Sequence, residues 1–183
     1  MARDVALFIG SLRAGSFNRK TAMAMKEIAA GALELREVGF GDLPLYDEDL
    51  EADPPAPWRR FREAVRPAEA VLFVTPEYNR SVPGGLKNAI DVGSRPYGQS
   101  VWSGKPGAVA TVSPGQIGGF GANHALRQSM VFLDVPMLQQ PEAYIGGAAR
   151  LFDDAGRLTN DQTRASLETF MDAFAAWIER NAG

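Results

Sequence analysis

Short runs of uninterrupted apolar residues alternate along the chain with segments of helical period. Val5–Ile9 is one such run, bounded by Asp4 and Gly10, and reads as a strand buried on both faces. Asn18–Ala30 is rich in strong helix formers and stops at Gly31. Leu33–Val38 alternates apolar and charged positions, as a half-buried strand does. Phe40–Trp58 is acidic and proline-containing and reads as a long connection. Arg59–Arg66 is then a short helix that ends before Pro67. The pattern repeats with buried strands at Ala70–Thr75 and Ala108–Val112, and with helices at Gly85–Val92 and Gly121–Leu133. A short fifth strand is expected around Val135–Leu138. Asp161–Glu179 closes the pattern as an amphipathic helix carrying Leu167, Phe170, Met171 and Phe174.

Strands that lack alternation are covered on both faces, which implies a parallel sheet between layers of helix. Five such strands alternating with helices predict a doubly wound α/β fold, flavodoxin-like, with strand order 2-1-3-4-5 and helices on both faces. Its ligands bind at the carboxyl ends of the strands. No repeat, low-complexity tract or linker interrupts the pattern, so residues 1–183 are expected to form a single domain.

Composition narrows the chemistry. There is no cysteine, which removes disulfides, thiol nucleophiles and cysteine-bound metals. The one histidine, His124, excludes a multi-histidine metal site. It stands at the start of a helix with no G-x-S-x-G elbow in the chain, and is expected to be a polar surface or interface residue without a catalytic role. A formal charge of -3 offers no basic surface for nucleic acid. The apolar run Val5–Ile9 is far too short for a secretory leader or a membrane span, so no membrane association and a cytoplasmic location are expected.

Three loops at strand ends carry the informative residues. The first, Gly10–Asn18, sets hydroxyls, an amide and an arginine before a helix N-terminus, where free N–H groups and the helix dipole favour an anion. Ser11, Ser16 and Asn18 offer side-chain donors and Arg13 a charge. Gly10 and Gly15 have the glycine spacing of a P-loop, but Ser16-Phe17 stands where Lys-Ser/Thr belongs, and no G-x-G-x-x-G occurs. A single terminal phosphate fits better than a triphosphate or a dinucleotide, although helix capping by Ser16 and Asn18 would account for part of the cluster. The second loop, Thr75–Gly85, offers Pro76, Tyr78 and Asn79, the aromatic wall and amides that a flat heteroaromatic ring needs. The third, Ser113–Gly121, is glycine-rich and lets backbone approach a ligand closely.

These motifs, with Pro83–Asp91 and Leu126–Gln128, resemble the NADPH-dependent FMN reductase family, in particular its bacterial quinone and chromate reductases. The resemblance runs from residue 5 to about 145. It implies bound FMN, with Ser11, Arg13, Ser16, Phe17 and Asn18 around the phosphate and Pro76, Glu77, Tyr78 and Asn79 bordering the isoalloxazine. It places Ser113 and Gly115 near the pyrimidine side of the ring or the ribityl chain. It further implies a homodimer or homotetramer. Many close relatives carry an arginine and a tyrosine where this chain has Gly121 and His124. The implied activity is transfer of electrons from NADPH or NADH through FMN to small oxidants: quinones, flavins or an oxyanion such as chromate. A flavodoxin-like electron carrier without efficient NAD(P)H turnover is one alternative. A phosphate-ester hydrolase is another, disfavoured by the missing elbow, metal ligands and second histidine.

Overall fold

The computed structural model describes residues 1–181. Five parallel strands form one sheet in the order β2-β1-β3-β4-β5. They are β1 (Arg3–Ile9), β2 (Leu33–Glu37), β3 (Ala70–Thr75), β4 (Gly107–Val112) and β5 (Ala143–Ile145). The helices are α1 (Phe17–Ile28), α2 (Ala56–Val65), α3 (Gly84–Gly93), α4 (Phe120–Phe132) and α5 (Asp161–Asn181).

Alternate residues of each central strand feed two cores. Val5, Leu7 and Ile9 of β1 face α1 and α5, meeting Met25, Phe170 and Phe174. Ala6 and Phe8 face the other way, toward α2, α3 and α4. There Phe8 stacks on Phe73 with centroids 5.1 Å apart and meets the edge of Trp102 at 5.2 Å. The buried indole N–H of Trp102 donates to the Ile90 carbonyl at 2.9 Å, so the ring is packed without an orphaned donor.

The fifth strand is a correction. Val135–Leu138 does run beside the start of β4: Gly107 N–H donates to Pro136 O at 3.0 Å and Leu138 N–H to Gly107 O at 2.7 Å. Only an isolated bridge forms there, between Gly107 and Met137, and the regular strand is Ala143–Ile145. Prolines at 136 and 141 lack the N–H a continuous ladder needs. Helix α2 also starts earlier than expected, at Ala56, because Pro57 falls in the first turn, where its missing N–H costs nothing.

The connection between β2 and α2 is tied down along α3. Asn88 accepts from Tyr46 N–H at 2.8 Å and donates to Pro44 O at 3.0 Å. Arg95 donates to Glu51 at 2.7 Å and to the Tyr46 hydroxyl at 3.0 Å. These two segments therefore cover each other. Leu45 stays exposed within this connection, and elsewhere Tyr97, Val131 and Phe132 are the most exposed large apolar side chains of the far end of α3 and of α4.

Candidate functional site

In the order 2-1-3, the connections after β1 and β3 leave in opposite directions, which opens a crevice at their carboxyl ends. The loop after β1 starts flush against β3. Gly10 N–H donates to Val74 O at 2.9 Å. A Cβ on Gly10 would lie 2.2 Å from Thr75 Oγ1 and 2.6 Å from Thr75 Cβ, so no larger residue fits without moving the strands.

The chain then turns into α1. Ser16 is its N-cap, with extended backbone (φ -71°, ψ 132°), and its hydroxyl accepts from Arg19 N–H at 3.3 Å. The capping expectation for Ser16 thus holds. The two N–H groups at Phe17 and Asn18 precede the first intrahelical bond and stay free for a ligand. Asn18 is buried, yet its amide oxygen has no hydrogen-bond partner. Arg13 donates to Gly15 O at 3.3 Å, and among the described residues its guanidinium meets no carboxylate. It lies 5.8 Å from the centre of the Phe17 ring. That ring stacks on Phe152, so Phe17 has only its backbone N–H to offer a phosphate.

The loop after β3 folds into a hairpin turn. Tyr78 and Ser81 exchange backbone hydrogen bonds of 2.9 and 3.0 Å across Asn79 and Arg80, whose φ values of 51° and 65° are those of a type I′ turn. Asn79 is the turn residue rather than a wall of the crevice. The loop after β4 is held by the turn following β5. Gly147 N–H donates to Gly115 O, and Ala148 N–H to Ser113 O, each at 3.1 Å. Gly115 N–H in turn donates to Ser113 Oγ at 3.1 Å.

These loops enclose a cavity of about 490 Å³. Nine of the eleven residues singled out in the sequence line it: Ser11, Arg13, Ser16, Phe17, Asn18, Pro76, Glu77, Tyr78 and Ser113. Asn79 and Gly115 do not; both hold loops in shape instead. Val112 and Pro114 complete the lining. Sequence reasoning missed them because one reads as the last residue of a core strand and the other as a turn former, although both flank Ser113.

His124 lies outside this lining. Its Nε2 is 3.1 Å from the Tyr144 hydroxyl, and its ring is 4.2 Å from that of Phe120. Burial first, then its hydrogen bond to Glu142, pushes the Tyr144 phenol up to about 12. Among the described residues no cluster of metal-ligating side chains occurs, and no helix is long and apolar enough to cross a membrane.

A five-stranded doubly wound sheet in the order 2-1-3-4-5, with a helix start and an aromatic residue meeting in one strand-end cavity, defines a flavodoxin-like α/β protein. The comparisons narrow this further. Residues 3–150 match the model for NADPH-dependent FMN reductase. A quinone reductase of Pseudomonas putida is 67% identical over 97% of this chain and 96% of its own. A 2-hydroxy-1,4-benzoquinone reductase of a Burkholderia species is 45% identical over 97% of each chain. A flavoenzyme NAD(P)H:(acceptor) oxidoreductase from Paracoccus denitrificans superposes with a TM-score of 0.94 at 42% identity, covering 100% of both chains. The chain belongs to the NADPH-dependent FMN reductase family. It is an FMN-dependent NAD(P)H oxidoreductase that acts on small-molecule acceptors, and neither the carrier nor the hydrolase alternative stands.

Proposed function

We propose that the chain is a quinone reductase whose FMN lies in the three-loop cavity, phosphate at the start of α1 and ring between the loops after β3 and β4. The observation that carries the placement is the meeting of several polar groups at one cavity. The free N–H groups of Phe17 and Asn18, the orphaned Asn18 amide and the guanidinium of Arg13 all border one cavity. A buried acceptor without a partner is costly; a ribityl hydroxyl would donate to the Asn18 amide oxygen, while the phosphate would accept from the N–H groups and Arg13. The cavity lies within the 300–1,000 Å³ range usual for cofactor sites, at about 490 Å³. Pro76 and Tyr78 provide the apolar wall for a planar ring.

FMN held here would supply two-electron chemistry between a nicotinamide hydride and a quinone, with a proton from water completing the hydroquinone. The protein contributes position and electrostatics. Arg13 and the start of α1 balance the phosphate charge. Ser113 offers a hydroxyl beside the ring, and half-exposed Tyr78 leaves one side of it open to reactants. No lining side chain is needed as acid or base, which suits a cavity without histidine. The quinone assignment is supported by the Pseudomonas and Burkholderia relatives.

The test is kinetic. The protein should purify with about one FMN per chain, and double-reciprocal plots at varied NAD(P)H and benzoquinone should be parallel, because donor and acceptor take turns on one ring face. Intersecting lines with a demonstrable ternary complex would contradict a shared face.

The same proposal includes one FMN-binding domain over the whole chain, a cytoplasmic location and a symmetric homo-oligomer, dimer or tetramer. We assign the contact to the exposed Tyr97–Val131–Phe132 face. There Tyr97 and Phe132, each 87% exposed, line one groove. Light scattering should show an oligomer for the wild type and a smaller species for Phe132→Glu. A wild-type monomer at micromolar concentration would refute the assignment.

A further inference from the structure

Helix α4 begins without a cap of its own. Its N-cap is Gly119, which makes no side-chain cap, and no acidic residue stands in the first turn. Such a terminus leaves N–H groups unpaired at the positive end of the helix dipole. The missing acid comes from the loop after β3. Glu77 Oε2 accepts from Ala122 N–H at 3.1 Å, across 45 positions of sequence. Its other oxygen takes Arg80 Nη1 at 3.3 Å, and the side chain is only 14% exposed.

The fit from the other side is close. A Cβ on Gly121 would lie 2.9 Å from Glu77 Oε2 and 2.8 Å from Arg80 O. The absence of a side chain at 121 is what lets the carboxylate and the hairpin turn reach the helix.

We infer that Glu77 is a positioning residue. Its carboxylate latches the Pro76–Arg80 loop onto the start of α4, and so fixes the aromatic wall of the cavity relative to the loop that leads into α4. The residue borders the cavity, but its carboxylate is spent on protein partners. Tyr78 is 52% exposed, so packing alone does not hold that wall in place. The inference rests on the reading that the ring lies between these two loops. The latch therefore affects binding of the ring, and binding of the phosphate does not depend on it.

The experiment measures FMN and riboflavin affinity of apoprotein by quenching of flavin fluorescence, with visible circular dichroism of the bound flavin as a second readout. Glu77→Ala should weaken both ligands by the same factor, about tenfold, and change the dichroism. Glu77→Gln, whose amide oxygen still accepts from Ala122 N–H, should restore most of both. Gly121→Ala, which pushes the helix off the carboxylate, should reproduce the alanine phenotype and stands in for Glu77→Ala if that variant does not fold. Unchanged affinities and dichroism in Glu77→Ala and Gly121→Ala would overturn the latch, as would a loss confined to FMN. Failure of the wild type to bind flavin would instead overturn the FMN reading itself.

Discussion

Replacing Arg13 by alanine weakens FMN binding by about 10- to 150-fold and leaves riboflavin binding nearly unchanged, because a charge-assisted bond of roughly 1.5–3 kcal/mol is lost. Riboflavin shares the ring and lacks the phosphate. Wild type and Arg13→Ala with the two ligands thus form a cycle whose coupling term belongs to the arginine–phosphate pair. Arg13 is exposed and spends its hydrogen bonding on Gly15 O, so nothing in the fold depends on its charge. Added salt should erode the difference in part, since an exposed pair is screened. Equal losses for both ligands would mean a disordered loop. No loss for either would make Arg13 a solvated surface residue.

Gly10→Ala should destabilise the protein by about 1–3 kcal/mol, lowering the melting temperature by roughly 2–12 °C. The added methyl meets Thr75 Oγ1 at 2.2 Å and Thr75 Cβ at 2.6 Å, at the junction of β1 and β3 from which two of the three loops depart. Relief must come from moving strands buried on both faces, so flavin affinity should fall together with stability. Thr75→Ala in the same chain should recover the loss only in part, because it removes Oγ1 and leaves Cβ in place. Calorimetry of the wild type and the two variants checks this. A Gly10→Ala protein that melts like wild type would show that the strands yield freely there.

The central strands were legible because burial on both faces leaves a continuous apolar run. Ala70–Thr75 was read to the residue, and β1 and β4 were each read within two residues of their start. The edge of the sheet was not. Val135–Leu138 has the apolar character of a strand and touches β4, but whether it or Ala143–Ile145 carries the ladder depends on proline placement and backbone pairing. Local signals also identified the start of α1, where a capping serine and free N–H groups lie within a few residues of each other. The tertiary features were out of reach. Asn79 reads as an amide donor, and its positive φ marks it as a turn residue only once Tyr78 is seen paired with Ser81. The resemblance sets Glu77 at the border of the ring, and its capping of a helix 45 positions away has no local signature. The partner of Phe17, Phe152, lies beyond the residues that the family model matches.

Anaerobic mixing of the purified yellow protein with NAD(P)H, followed by benzoquinone, tests the central claim most directly. One equivalent of NAD(P)H should bleach the visible flavin band within the turnover time, and benzoquinone should restore it fully. A band that NAD(P)H leaves intact, or that benzoquinone fails to restore, would contradict a quinone reductase working through FMN.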